Sequence, residues 1–311
     1  MSSYECIVIG GGTNGLACAA RLARKGRRVI VLEVADRAGG AALGSDFAPG
    51  FRSPGLAHIA NMIDPRVTEA LALDRHGLGY HTTDLASTAL SATGDHLRLD
   101  GAFGATLAGD VNDTDRTQWA DFRTRVLRFA DALAPFREMT PPRLSRAGGN
   151  EWSRLARLGL GLRRMGKADF REFLRVFLIN VWDALNDELS DDRLKGIVAF
   201  DATLGSWLGP RSPNSLLLLL NRLTGDAAGQ RGALALPKGG MEAVTDAFVA
   251  AAEATGAKVR TGAAVGRIVV ENDRAAGVVL QNGEELRAPL VVSAISPKTT
   301  LLSLVGARHI D

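Results

Sequence analysis

The hydrophobic pattern opens with an unbroken apolar run, Cys6-Ile7-Val8-Ile9, that enters the turn Gly10-Gly11-Gly12-Thr13-Asn14-Gly15. Leu16, Ala19, Ala20, Leu22 and Ala23 then recur at helical spacing, and a second apolar run, Val29 to Leu32, ends at Glu33. Short apolar runs without alternation predict strands covered on both faces, and the period between them predicts a helix. The opening segment therefore reads strand, glycine turn, helix, strand. Further on, Pro49-Gly50 between two phenylalanines predicts a hairpin, and Asp64-Pro65 predicts a helix to about Leu73 with Asp64 as N-cap. Residues 88–99 predict a second hairpin, turning at Thr93-Gly94.

From there the period changes to helical. Trp119, Phe122, Val126, Phe129, Leu133 and Phe136 predict one helix over 114–136 with a core-facing stripe. Phe170, Phe173, Leu174, Phe177, Val181 and Leu185 predict another over 170–185. Ser190-Asp191-Asp192 caps a third, and Ser212-Pro213 starts a fourth that carries the leucine run Leu216 to Leu220. After Leu236-Pro237-Lys238-Gly239-Gly240-Met241 comes a helix ending near Gly256. Strands over 258–261, 265–271 and 278–281 follow, then an Asn282-Gly283 turn, Leu286-Arg287, and a buried strand over 290–293.

The first strand–turn–helix–strand unit carries chemistry. Gly10 permits the tight turn, Gly12 lets backbone approach a diphosphate, and Gly15 lets the helix pack on the sheet. The N–H groups at the helix start, around Thr13 and Asn14, and the positive end of the helix dipole attract the anion. Glu33 follows the glycines by about 20 residues, where a carboxylate accepts from a ribose 2′-OH. It would repel a 2′-phosphate, which disfavours NADP. Arg37-Ala38-Gly39-Gly40 comes next, and a second glycine pair there is of use to FAD rather than to NAD.

At this point the chain resembles the FAD-dependent amine oxidase and phytoene desaturase-like oxidoreductases. Gly239-Gly240-Met241 and Ser296-Pro297-Lys298-Thr299-Thr300 are most similar to the phytoene desaturase-like branch, which includes the pyridine nucleotide-disulfide oxidoreductase domain-containing protein 2 group. The resemblance covers both ends of the chain strongly and the middle weakly. It implies an α/β fold: a Rossmann-like, glutathione reductase-type FAD-binding domain with a mostly helical inserted substrate domain. The implied FAD-binding domain is discontinuous, 1–75 with 231–300, around an insertion over 76–230; residues 301–311 would begin a return to the substrate domain. It also implies that Glu33 holds the adenosine ribose and that Arg37, Gly39 and Gly40 lie along the diphosphate. Val265 would contact adenine through its backbone, or else serve as a plain core strand residue. FAD would be bound non-covalently. Family members continue past the position of Asp311, so the chain reads as a fragment or a truncated product that holds the ADP half of the site.

Composition narrows the classes. A chain of 311 residues predicts two domains, and a net charge of +3 is too small to argue for nucleic acid. The two cysteines, Cys6 and Cys18, form no C-x-x-C pair, which excludes a dithiol redox centre. The histidines lack metal-ligand spacing. Residues 143–175 carry nine cationic against three acidic side chains and read either as a solvated helical face or as a peripheral contact with an anionic membrane. His58 and Lys238 are candidates for the flavin or substrate region, each with an ordinary surface role as the alternative.

The expected function is an FAD-dependent dehydrogenase or desaturase taking a hydride from an apolar or amphipathic substrate. A flavin amine oxidase and a catalytically silent dinucleotide-binding or interaction protein are the alternatives. No acid–base residue, electron acceptor or oligomeric state is legible. The expected location is cytoplasmic, with the mitochondrial matrix as the alternative for a eukaryotic member of the group.

Overall fold

The structure is a computed structural model that describes residues 4–140 and 149–310. It divides into two compact units: 1–60, 65–81 and 236–311 in one, 61–64 and 82–235 in the other.

The first unit is built on a four-stranded parallel sheet. Strands β1 (Cys6–Ile9) and β2 (Val29–Leu32) flank one another, joined through helix α1 (Thr13–Ala23). Every residue of both strands is buried, as their uninterrupted apolar composition requires of central parallel strands. A short hairpin, β3 (Ser45–Ala48) and β4 (Phe51–Ser53), and helix α2 (Pro65–Leu71) follow. Gly50 makes the hairpin turn with φ of 78°. Strand β5 (Tyr80–Thr82) closes this part of the chain.

The second unit begins with a three-stranded antiparallel sheet, β6 (Ser87–Ala89), β7 (Leu97–Asp100) and β8 (Thr106–Ala108). Helices α3 (Asp113–Glu138), α4 (Gly149–Arg164), α5 (Lys167–Leu178), α6 (Val181–Glu188), α7 (Asp192–Thr203) and α8 (Ser215–Leu223) follow, then a two-residue ladder of β9 (Asp226–Ala227) and β10 (Gln230–Arg231). Its core joins Trp119, Phe122 and Phe129 of α3 to Phe173, Leu185, Leu194 and the α8 leucines. Asn112 starts α3 by accepting the Asp115 N–H at 2.8 Å. The α3 stripe is buried through Phe129, Leu133 is half-buried, and Phe136 is exposed. The helix expected over 170–185 is two helices. Asn180 interrupts it because its side chain accepts the Asp183 N–H at 2.8 Å and so caps α6 instead of continuing α5. Helix α8 starts at Ser215 rather than at Ser212-Pro213. The Ser212 and Ser215 side chains bond to the loop at Gly209 and Pro210, and Asn214 takes φ of 63° just before the helix.

The chain re-enters the first unit at β11 (Leu236–Pro237), which pairs with β5, and continues through α9 (Met241–Ala254), β12 (Lys258–Arg260), β13 (Val265–Glu271), β14 (Arg274–Leu280), β15 (Glu285–Arg287) and β16 (Leu290–Ser293). The parallel order is β12-β2-β1-β16, so β1 lies where the order of connection reverses. Strands β13, β14 and β15 form an antiparallel meander. Side chains alternate across β1 and β2: Ile7, Ile9, Ile30 and Leu32 share a core with Ile268, Val278 and Leu280 of the meander. Cys6, Val8, Val29 and Val31 are left to the helical face, where α1 and α9 contact the strands and each other. Their contact surfaces are small-residue rich (Gly15, Ala19, Ala20; Ala247, Ala251, Ala252), which allows close approach.

Residues 301–310, expected to turn back toward the substrate domain, stay with the first unit. They lie in and after a π-helical stretch, Thr299–Gly306, whose Leu304 is buried in the core of Ile7 and Leu32. Burying one leucine stabilises by about 1.5–3 kcal/mol, reason enough for this segment to remain on the sheet.

Candidate cofactor site

The carboxyl end of β1 delivers the glycine turn. Gly10 has φ of 100°, and its N–H donates to the Leu32 carbonyl at 2.8 Å, which holds the turn against β2. A Cβ on Gly15 would sit 2.1 Å from the Gly10 carbonyl oxygen and 3.2 Å from Ala294 Cβ, so that glycine serves helix–sheet packing. Gly12 differs. Its backbone is ordinary (φ −75°, ψ 171°), and a Cβ there would meet nothing within 4 Å. It is the N-cap of α1, no side chain caps the helix, and no acidic residue stands in the first turn. Thr13 is half-buried and Asn14 exposed in that turn. The helix therefore presents its positive end, equivalent to roughly half a charge, beside open space.

Glu33 ends β2 and is buried. Its Oε2 accepts the Gly11 N–H at 2.7 Å and its Oε1 accepts the Ala35 N–H at 3.0 Å. A carboxylate has about four acceptor positions, so two remain for hydroxyl donors. Gly11 was not among the sequence candidates, yet it fixes this carboxylate. A Cβ there would press to 2.9 Å from Ala38 Cβ and 3.0 Å from Glu33 Oε2. The middle glycine of the triplet was the available signal.

Three backbone bonds tie the end of β2 to the β12–β13 connection. The Glu33 N–H donates to Arg260, Ala263 donates to the Glu33 carbonyl, and Gly262 donates to Ala35, all within 2.9 Å. Val265 begins β13 just beyond, half-buried, paired with Leu280 and packed on the core. The structure thus brings the segment leading to Val265 to the strand end that carries Glu33.

The second glycine pair lies against the first turn. A Cβ on Gly40, which has φ of 56°, would stand 3.3 Å from the Gly12 Cα. Gly39 packs between Leu43 and Thr245 of α9. Arg37 points to α9, donating to Glu242 at 3.0 Å and to Asp246 at 3.1 Å. The hydrogen bond to Glu242 and the Asp246 charge push its pKa further up. Its charge is thereby neutralised by protein carboxylates, and a role along the diphosphate stays a proposal. Glu242, also absent from the sequence candidates, further accepts the Gly44 N–H at 2.6 Å and the Arg52 guanidinium at 2.6 Å. Burial opposes its ionisation, but the bonds from Gly44, Arg37 and Arg52 outweigh that and hold its pKa below the usual value. Being one acid in the first turn of a helix, it had no sequence signal beyond favourable dipole placement.

His58 is an exposed loop residue whose Nδ1 lies 3.5 Å from the Leu56 carbonyl, and Lys238 is exposed, its N–H donating to Gly79. Cys6 is buried, and burial pushes its thiol up to about 11; Cys18 is shifted upward for the same reason. Both are free thiols. Among the described residues no helix is long and apolar enough to cross a membrane.

Comparison with known proteins agrees with this geometry. Residues 8–72 match the NAD(P)-binding Rossmann-like domain family, and residues 76–304 match the family of flavin containing amine oxidoreductases. The pyridine nucleotide-disulfide oxidoreductase domain-containing protein 2 of Mus musculus is 30% identical over 317 residues, covering 97% of this chain and 55% of the relative. Hydroxyneurosporene desaturase of Cereibacter sphaeroides is 28% identical over 323 residues, covering 97% and 58%. The chain spans just over half the length of these relatives. Among solved structures, wild-type putrescine oxidase bound to putrescine superposes with a TM-score of 0.59 at 20% identity, covering 99% of this chain and 60% of that one. An oxidoreductase from Methanosarcina mazei gives 0.59 at 19%, covering 96% and 60%. These likenesses establish the fold. The chain belongs to the flavin-containing amine oxidoreductase family, an oxidoreductase family whose cofactor is FAD. The residues present fit that cofactor: an uncapped helix start at a glycine with open space beside it, a second glycine backbone facing it, and a fixed carboxylate with acceptor positions to spare.

Proposed function

We propose that this chain carries the ADP-binding half of the FAD site of a dehydrogenase or desaturase acting on an apolar or amphipathic substrate. One observation carries the reading: the Glu33 carboxylate is locked by the Gly11 N–H beside a helix start where, among its glycines, Gly12 has open space. In this assignment Glu33 accepts from the adenosine ribose. Gly12, Thr13, Asn14 and Gly15 turn backbone toward the diphosphate, with Gly39 and Gly40 on its other side. Val265 borders adenine. When bound, FAD supplies a ring that accepts a hydride. The chain's own contribution is binding and orientation.

The meander between β12 and β16 supports a glutathione reductase-type organisation, and the helical second unit supports an inserted substrate domain. The likeness to hydroxyneurosporene desaturase, and to a limonene dehydrogenase chain of Castellaniella defragrans that is 36% identical over 98 residues, favours an apolar substrate. A peripheral membrane contact through 143–175 remains a proposal. Arg157, Arg163 and Arg164 are exposed on α4, while Leu162 and Met165 pack on the core; Arg143 and Arg146 lie outside the described residues. Sedimentation with anionic vesicles tests it.

The visible spectrum of the purified chain tests the main reading. Flavin bands near unit stoichiometry, with FAD released by acid, are expected, followed by bleaching under anaerobic conditions with a terpenoid alkene. A colourless chain that FAD cannot reconstitute and that binds no ADP overturns it.

A further inference from the structure

The loop from Arg37 to Gly44 carries the second glycine pair, and one carboxylate holds both of its ends. Glu242 Oε2 takes the Arg37 guanidinium at 3.0 Å where the loop starts. Its Oε1 takes the Gly44 N–H at 2.6 Å where the loop finishes. Between these points the chain makes a tight turn, Gly40–Ala42, closed by the Ala42 N–H on Gly39 and the Leu43 N–H on Gly40. That turn sets Gly40 against Gly12. The Glu242 backbone is held in the first turn of α9, where Thr245 Oγ1 donates to its carbonyl at 2.8 Å and Gly39 packs on Thr245. Arg52, from the neighbouring hairpin, adds a bond to Oε1 at 2.6 Å.

We infer that Glu242 is a positioning residue for the cofactor's diphosphate, acting through Arg37 and Gly44 to set the gap between the Gly40 and Gly12 backbones. The inference rests on the proposed FAD site. It assigns Arg37 a different task from a direct diphosphate ligand: the arginine is the latch of the loop, and its charge is taken up by Glu242 and Asp246. The two bonds differ in strength. The Arg37 guanidinium is about half exposed, at 48%, so its pair with Glu242 is weak. The Gly44 N–H on a mostly shielded carboxylate is charge-assisted and stronger. Glu242 therefore matters more than Arg37.

The test is a double-mutant cycle in the full chain, read by calorimetric titration with ADP and, separately, with adenosine, alongside thermal unfolding. E242A is expected to weaken ADP binding about tenfold and R37M about threefold, with the double variant close to E242A alone, because the arginine acts through the glutamate. Adenosine, which has no diphosphate, keeps its wild-type affinity in all three. E242Q, which retains an acceptor for Gly44, recovers part of the loss. Additive losses of about thirtyfold in the double variant would make Arg37 a direct ligand and overturn the inference, as would equal losses for ADP and adenosine. Should E242A not fold, R37M and E242Q complete the comparison, since R37M then has to lose its effect in the E242Q background. Wild-type chain that binds neither ADP nor FAD refutes the cofactor reading itself, a result distinct from unchanged binding in the variants.

Discussion

Gly12→Ala and Gly15→Ala, three positions apart on one turn, are expected to fail in opposite ways. At Gly12 the backbone is one that alanine adopts freely, and the added Cβ meets nothing within 4 Å. Alanine is a poorer N-cap than glycine, at a cost of about 0.5–1 kcal/mol, but it reduces the entropy of the unfolded chain by about 0.4–1 kcal/mol. The two nearly cancel, so unfolding temperature should move by no more than about 3 °C. The same methyl occupies the space assigned to the diphosphate. Overfilling a packed contact costs about 1–3 kcal/mol, which is about a five- to 150-fold loss of FAD affinity. At Gly15 the Cβ would lie 2.1 Å from the Gly10 carbonyl oxygen, a backbone atom with no rotamer to escape by. That variant should lose about 3 kcal/mol and, for a unit of this size, about 6–12 °C in Tm. Thermal unfolding by circular dichroism and titration with FAD, monitored by flavin fluorescence, measure both quantities. G12A binding FAD within twofold of wild type would remove Gly12 from the cofactor site. G12A as unstable as G15A would show that the space beside the N-cap is needed for folding, and the reasoning would fail.

Three further outcomes follow from the same structure. Wild type should prefer ADP to 2′-deoxy-ADP by about tenfold or more, the value of a hydrogen bond to a charged acceptor, and E33A should lose that preference while stranding the Gly11 N–H at about 1–3 kcal/mol; calorimetry with both nucleotides decides it. In the second unit, Asp201 and Arg222 form a largely buried pair at 2.6 Å, with Arg222 also bonded to the Gly232 carbonyl; D201N leaves the guanidinium buried and uncompensated, and denaturant unfolding should show a loss of about 3–5 kcal/mol, so a loss under 1 kcal/mol contradicts the burial. Cys6 should resist alkylation in the folded chain until pH approaches 11; its thiol is raised from an ordinary 9.0, so the stability that burial of the neutral form contributes is complete below 9.0 and is lost as pH rises through about 11, and rapid labelling at pH 8 would refute this.

Much of the first unit was readable from the chain alone. The run from Cys6 to Ile9, the glycines and Glu33 are local signals, since a buried parallel strand must be apolar on both faces and a tight turn favours glycine where φ is positive. The order β13–β16 was legible, but β16, expected to be buried, is the edge of the parallel sheet and leaves Leu290 44% exposed, because burial there depends on sheet position and not on composition. Strand β14 starts at Arg274 rather than 278 because Asn272 and Asp273, both at positive φ, turn the chain there. The break at Asn180 was less legible: a polar residue within an apolar stripe caps a new helix only when its side chain finds a backbone N–H, and periodicity does not register that competition.

What no residue pattern could supply is partnership across distance. Glu242 stands 205 positions from Arg37 and 198 from Gly44, and an exposed arginine reads alike whether it faces a diphosphate or a carboxylate. The burial of Leu304 in the core shared with Ile7, and the closeness of Gly40 to Gly12, likewise depend on where helices and strands come to rest. Local sequence dictates conformation and the type of chemistry, because sterics, capping and periodicity act over a few residues. Which groups meet is settled by packing and desolvation, which act through space, and so the Gly10–Gly15 turn and Glu33 could be named from the chain while the clamp at Glu242 came from the fold.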